Sequence, residues 1–213
     1  MSAPPSERAR VKRYNQIADY DAATIHAILD AMPLCHVGYV FNGSPYVTPT
    51  LQWRDGDRIF WHGSSASRML ETAECQDVCV TVSLYDGLVM ARSAYNYNIN
   101  HRSVMIFGKP EKLADAEKEA QLRHMVNRTI PGQWERLRPV KPQELKATTV
   151  LTMKITEASA KLRSGQPDDD EDADFPVWTG VIPVRYKIGK PEANPKNLPG
   201  VELPPETALF KIG

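Results

Sequence analysis

The chain has 213 residues, which is enough for one domain and short for two. Hydrophobic residues make up 42% of it, so a buried core can form, and 26 basic residues balance 26 acidic ones. A neutral chain lacks the basic surface that nucleic acid or an anionic membrane requires. This charge balance disfavours both as partners.

No apolar run reaches the roughly 20 residues of a membrane-spanning helix, and the polar start of the chain lacks the apolar stretch of a signal peptide. We therefore expect a cytoplasmic protein that does not enter the membrane. The cysteines, Cys35, Cys75 and Cys79, are odd in number, and no second pair completes a zinc site. We expect no metal site and assign these thiols no function.

The first third of the chain predicts an arm, a helix and three strands. Residues 1–20 are polar and are expected to form a flexible arm. Asp21 is placed to cap a helix that continues to Met32 and is stopped by Pro33. The predicted strands are 34–41, 45–54 and 58–62, with turns at 42–44 and 55–57. Three strands joined by tight turns form an antiparallel meander, which excludes a parallel nucleotide-binding sheet.

The rest of the chain continues the strand pattern and adds two helices. The predicted helices are 66–74 and 115–130, with Asp115 as the cap of the second. The predicted strands are 77–85 and 88–91 around an Asp86-Gly87 hairpin, then 100–113 and a closing strand 148–157. An acidic loop (164–174) and an extended Pro-rich tail (187–213) complete the chain. This order predicts a mainly β, α+β barrel domain over residues 21–186.

Residues 59–68 read as a strand, a small-residue turn and a helix start, and they form a candidate phosphate site. Backbone N–H groups at a helix start carry positive partial charge, and Gly63 allows close approach of a ligand. Ser64 and Ser67 offer hydroxyl donors, and Arg68 offers a charged, forked donor. Ordinary capping by Ser64, with Arg68 in solvent, also explains this segment.

A second candidate binding segment, 98–109, is polar at its start and apolar along the rest. Asn100, Arg102 and Ser103 at its polar start are placed to meet a ribityl chain or a phosphate. A strand with a solvated end explains the same pattern.

Four motifs follow one another in the chain: Tyr46–Thr50, Trp61–Arg68, Arg102–Gly108 and Phe175–Pro183. In this order and spacing they resemble the pyridoxamine 5'-phosphate oxidase-like superfamily, over about residues 22–186. The resemblance is nearest to the branch of nitroimidazole-resistance and flavin-nucleotide-binding proteins. It implies a six-stranded antiparallel split β-barrel and a homodimer with flavin mononucleotide (FMN) bound between the subunits.

The resemblance also implies which residues hold FMN. The matched positions are Thr48, Pro49 and Thr50 beside the flavin ring; His62, Gly63 and Ser64 beside the phosphate and ribityl chain; Ser67 and Arg68 at the phosphate; Asn100, Arg102 and Ser103 on a second wall; and Trp178, reaching the flavin from the partner subunit. The C-terminal Arg and His that grip the substrate in true pyridoxamine phosphate oxidases have no convincing match. Oxidation of pyridoxamine phosphate is therefore not expected.

Flavin supplies redox chemistry, so the first hypothesis is an oxidoreductase that reduces a small electron-poor substrate, such as a nitroaromatic or a quinone. NAD(P)H would bind only transiently, because the sequence has no dinucleotide-binding Gly motif. His62 is the candidate proton donor, since an imidazole titrates near neutral pH; a purely structural role is the alternative. The other hypotheses are a non-enzymatic FMN-binding electron carrier and a haem-binding split barrel.

Overall fold

The computed structural model describes residues 3–213, and the first two residues of the expected arm lie outside this range. Within it, ten antiparallel strands form one sheet, to which four α-helices are attached. The strands are β1 (Ala18–Asp19), β2 (Leu34–Phe41), β3 (Ser44–Asp55), β4 (Arg58–Ser64), β5 (Val78–Met90), β6 (Asn98–Gly108), β7 (Glu111–Lys112), β8 (Thr148–Lys154), β9 (Ala158–Arg163) and β10 (Gly180–Pro183). The helices are α1 (Ala22–Ala31), α2 (Arg68–Ala73), α3 (Asp115–Thr129) and α4 (Pro142–Lys146).

The sheet is curled into a split barrel, as its strand order requires. The order is β1-β9-β6-β5-β2-β3-β4-β8-β7, with β10 beside β5. β8 and β9 are consecutive in sequence yet stand near opposite ends of this order, and so do β6 and β7. Connections of two or three residues can span only about 10 Å, so the two ends of the sheet must come together. The predicted fold class is therefore confirmed.

Alternate strand residues fill the barrel interior. Val37, Val80, Val104 and Leu151 are fully buried there, and α1 packs its apolar face over the same core. A smaller cluster of Trp53, Phe60 and Val150 lies on the outer face of the barrel, under side chains of α3. The helix thus covers part of the outer sheet surface.

The predicted helix starts are right at α1 and displaced at α3. The Asp21 side chain accepts a hydrogen bond from the Ala23 amide at 3.2 Å, as expected of a cap. Ala114, rather than Asp115, occupies the cap position of α3, and its amide donates to Glu117. Within residues 3–213, no helix combines the length and the apolar character needed to cross a bilayer.

The predicted hairpin at Asp86-Gly87 is wrong, because β5 runs straight through it as one thirteen-residue strand. Its pairing with β6 shifts register between Tyr85 and Gly87, which makes Asp86 a bulge. Gly87 is needed for close packing rather than for a turn. A Cβ on Gly87 would lie 2.9 Å from the backbone oxygen of Ile182 on β10.

The strand count also exceeds the six that were predicted. The stretch 100–113 contains β6 and β7, and the single closing strand expected over 148–157 is replaced by β8 and β9. Both breaks occur where the chain passes from one end of the sheet to the other. The residues on both sides of each break have the pattern of a strand. The sequence around the break therefore does not show that one strand ends and another begins.

The terminal segments lie against the barrel. The arm contributes β1, which pairs with β9, and Arg8 bonds to Asp77 and Glu157. The tail ends with Ile212 packed on the main core and with the amide of Gly213 donating to Ala31 at 2.8 Å. The arm therefore has more regular structure than its polar sequence indicates, because β9 offers it a free strand edge.

Candidate functional site

β3 and β4 separate along part of their length and leave a slot between them. They pair only from Gln52 to Asp55, opposite Trp61 to Arg58. If the pairing of β3 with β4 continued in the same register, Thr50 would lie opposite Gly63 and Thr48 opposite Ser65. Within residues 3–213, however, β3 and β4 do not pair at these positions. Residues 44–51 pair with β2 alone. Because the Gln52 amide donates to the Pro33 carbonyl oxygen, strand alternation directs the backbone groups of Thr48 and Thr50 toward β2. Over these three residues the slot is therefore faced by the Pro49 carbonyl oxygen, since proline has no N–H.

Arg68 reaches across the slot to the hairpin that joins β2 and β3. Its guanidinium carbon lies 4.7 Å from the ring centroid of Tyr46 and 5.0 Å from that of Phe41. Within residues 3–213, no carboxylate lies within 4.0 Å of this guanidinium. Arg68 therefore presents an unneutralised charge at a position fixed by two aromatic rings, which suits a phosphate.

The turn between β4 and α2 uses its own backbone donors and leaves the Ser67 hydroxyl beside Arg68. Ser64 accepts from the Ala66 amide at 3.3 Å, and the Ser67 amide donates to the Ser64 carbonyl oxygen at 2.9 Å. Ser67 precedes the first residue of α2, and its hydroxyl makes no cap hydrogen bond. Because α2 has only six residues, Arg68 rather than the helix supplies most of the positive charge.

His62 lies on the outer face of β4, away from the barrel interior. Its ring packs edge-on to Trp53, with centroids 5.7 Å apart, and within residues 3–213 its buried Nδ1 has no hydrogen-bond partner. Burial lowers the pKa of His62 below its ordinary value of 6.5. The imidazole is therefore mainly neutral at pH 7, which weakens its predicted role as a proton donor.

The second predicted wall is built differently from expectation. Arg102 makes a double ion pair with Asp86, at 2.9 and 2.7 Å, so its charge is already neutralised. Asn100 accepts from Arg163 at 2.6 Å and donates to the Gly165 carbonyl oxygen at 3.1 Å. Ser103 lies opposite Lys161 on β9. Sequence reasoning missed Asp86 because it was assigned to a turn.

Trp178 is exposed, and its ring packs over Gly180. The loop before it is held by Asp169, whose carboxylate accepts from both the amide of Arg92 (2.7 Å) and its guanidinium (3.0 Å). Asp169 is buried although it stands in an acidic run. A solvated acidic loop is therefore an incomplete description, since one of its acids anchors the segment that carries Trp178.

The two halves of the predicted flavin site lie at opposite ends of the sheet within one chain. Arg68 stands at the level of Phe41 on β2. Arg102 pairs with Leu84 on β5, which the register places at the level of Pro33. These levels are eight positions apart, or about 26 Å along the strands. One chain thus brings together the half around Arg68 but not the half around Arg102.

The comparisons with known proteins agree with this fold. The model of the family described as pyridoxamine 5'-phosphate oxidase matches residues 21–162. The chain therefore belongs to the pyridoxamine 5'-phosphate oxidase family, which confirms the resemblance read from its motifs. No curated protein matches the chain in sequence.

Three solved structures illustrate the range of similarity. The flavocytochrome Anf3 from Azotobacter vinelandii shares 54% identity over 100% of both chains, with a TM-score of 0.97. An FAD- and haem-binding protein from Mycobacterium smegmatis shares 34% identity over 92% of this chain and 97% of that one, with a TM-score of 0.86. A 5-nitroimidazole antibiotic resistance protein from Bacteroides thetaiotaomicron shares 22% identity over 68% and 86% of the two chains, with a TM-score of 0.57, and indicates the fold alone.

Proposed function

We propose that this protein is a redox protein of the flavocytochrome type that binds a flavin and a haem. The observation that carries the proposal is the full-length similarity, at 54% identity, to the Azotobacter flavocytochrome. The similar Mycobacterium protein, which binds FAD and haem, supports the same pair of cofactors. Haem binding was an alternative to flavin binding in the sequence analysis. We now propose both cofactors for the same protein.

The slot around Arg68 fits a flavin nucleotide. Arg68 and Ser67 would hold a phosphate, and the Pro49 carbonyl oxygen on the free edge of β3 would face the flavin ring as a hydrogen-bond acceptor. When bound, the flavin would supply one- and two-electron redox chemistry. We expect FAD rather than the predicted FMN, because FAD is the flavin named for the Mycobacterium protein. Both flavins share the ring and the phosphate that this slot would hold.

Haem iron commonly takes a neutral imidazole as its axial ligand. Within residues 3–213, His26 contacts Asp57 and His124 contacts the Arg54 carbonyl oxygen, whereas His36, His62 and His101 make no hydrogen bond through their rings. These three histidines are the candidate axial ligands. Burial lowers the pKa of His62 and of His101, which favours the neutral form that can bind iron.

We also propose that two copies associate through the outer face of the sheet formed by β2, β3, β5 and β6. Strand pairing places Leu34, Val40, Val47, Leu51 and Met105 on this face, and each is at least 40% exposed. Monomers rarely expose an apolar patch of this kind. A two-fold pairing would also allow Arg68 of one copy and the Trp178 end of the other to share one flavin.

The reaction itself remains a prediction. Reduction of a small electron-poor substrate by NAD(P)H and simple electron carriage both use the same flavin slot. Steady-state turnover with reduced nicotinamide and several acceptors separates them, because only a reductase exceeds the rate of free flavin at equal concentration. The low pKa of His62 favours a hydrogen-bonding or ligand role for this residue over proton donation.

The absorbance spectrum of the purified protein tests the proposal. We expect the two flavin bands together with a haem Soret band, and release by heat should give FAD by mass. Exchanging His36, His62 and His101 one at a time for Ala should then identify the ligand as the variant that loses haem but keeps flavin. A protein without either cofactor, which takes up neither when supplied, would contradict the proposal.

A further inference from the structure

A second cleft, of about 270 Å³, lies between β9, the start of β6 and the arm. It is lined by Tyr14, Tyr95, His101, Lys161, Arg163 and Asp168, among others. None of these residues belongs to the slot around Arg68, but His101 lies between Asn100 and Arg102 of the predicted second wall, and Arg163 bonds to Asn100.

Basic side chains converge on one side of the cleft. Lys161 and Arg163 stand two positions apart on β9 and therefore share a face of the sheet. Ser103 and His101 are their partners across β6. Within residues 3–213, no carboxylate lies within 4.0 Å of either basic group; Arg163 bonds instead to the amide oxygen of Asn100. Like charges gathered on a sheet without a counter-charge are unfavourable, so the arrangement favours a bound anion.

Asp168 is the single acid that lines the cleft. The electrostatic field inside is thus dominated by the two bases of β9.

Two tyrosines form the other side of the cleft. Tyr95 is 85% exposed, although a large aromatic ring gains by burial. Tyr14 has a φ of +57°, in the left-handed region that bulky residues rarely adopt. Exposed aromatic rings beside unpaired cations are the complement of a flat base that carries a phosphate, because bases stack on such rings.

We propose that this cleft binds a phosphorylated nucleoside, with the base against Tyr95 and Tyr14 and the phosphate between Lys161 and Arg163. Two sources share this chemistry: a free nucleotide and the adenylate half of FAD. The second source depends on the function proposed above, whereas the first does not.

Equilibrium dialysis with AMP tests the cleft, on the protein as purified and again after its flavin has been removed. AMP bound by the flavin-loaded protein supports a free nucleotide, and AMP bound only after flavin removal supports the adenylate half of FAD. Adenosine and inorganic phosphate should each bind at least about 10-fold more weakly, since each lacks one half of the contacts. No AMP binding in either state overturns the proposal.

Variants assign the binding to the cleft. Lys161→Gln and Tyr95→Leu should each weaken AMP binding by about 10-fold, as expected when a charge-assisted bond or a stacking contact is lost. Asp168→Asn should tighten it, because it removes the one acid, and this gain cannot arise from misfolding. Lys196→Gln and Tyr97→Leu are matched controls outside the cleft. Binding that Lys161→Gln leaves unchanged, or that Arg68→Ala abolishes, overturns the assignment.

The flavin content of the same samples separates the two proposals. A flavin-loaded protein that binds no AMP in either state contradicts the cleft alone. A protein without flavin that binds AMP through Lys161 contradicts the flavocytochrome proposal and leaves the cleft standing.

Discussion

Arg68 and Tyr46 are held together across the slot between β3 and β4, with the guanidinium carbon 4.7 Å from the ring centroid. A cation–π contact of this kind stabilises an exposed site by only about 0.5–1 kcal/mol. Its main effect is therefore to position a charge. It fixes the unneutralised guanidinium where a flavin phosphate would bind.

Replacing Arg68 by Ala should weaken flavin binding by about 1.5–3 kcal/mol, the range for hydrogen bonds to charged groups. Quenching of flavin fluorescence during titration of the flavin-free protein measures this loss. Arg123→Ala is the matched control, since Arg123 also lies over an aromatic ring, that of Trp134, but far along the chain on α3. Equal flavin affinity in Arg68→Ala and wild type would place the phosphate elsewhere.

Val47→Asp should convert the proposed dimer into a monomer. Val47 is 67% exposed within one chain, so the folded monomer tolerates the charge, whereas an apolar interface would bury it unpaired. Light scattering after gel filtration should give twice the 23.9 kDa chain mass for wild type and one chain mass for the variant. Leu198→Asp, at a 74% exposed position in the tail, should remain a dimer. If the Val47→Asp protein remains a dimer, the two copies associate through another face.

His62 should make stability depend on pH in one direction. Its pKa is lowered by burial in the folded chain and is about 6.5 when unfolded. The unfolded chain thus takes up the proton first, so stability falls as pH drops below 6.5 and levels off below the folded pKa.

His62→Gln should flatten this part of the profile, while the fall due to His101 remains. Urea unfolding at a series of pH values measures the difference between the two proteins. If both profiles have the same slope between pH 6.5 and 5, His62 is not buried as a neutral group.

Asp169→Ala should loosen the segment that carries Trp178. The variant leaves the Arg92 amide without its acceptor and is expected to cost about 1–3 kcal/mol. Limited proteolysis should show faster cleavage within residues 164–178, and urea unfolding gives the energy. Asp170→Ala, an exposed neighbour, should change stability by less than about 0.5 kcal/mol. Similar behaviour of the two variants would mean that the ion pair does not anchor the loop.

The sequence by itself determined the class of fold and half of the candidate site. Strand alternation, Asn42-Gly43 and the Asp21 cap are local signals, because side-chain period and turn chemistry act over a few residues. The turn and helix start at Ser67 and Arg68 are local in the same way. These elements were therefore predictable before the chain was folded.

Only the tertiary structure decided what surrounds these elements. The slot exists because β3 does not pair with β4 before Gln52, and Arg68 lies over Tyr46 although 22 positions separate them. Arg102 is neutralised by Asp86 on another strand, and Asp169 bonds to Arg92, 77 positions away. Such contacts depend on which strands lie side by side, and strand pairing joins residues far apart in sequence. No local pattern encodes them, and one folded chain holds the two predicted walls of the flavin site about 26 Å apart along the strands.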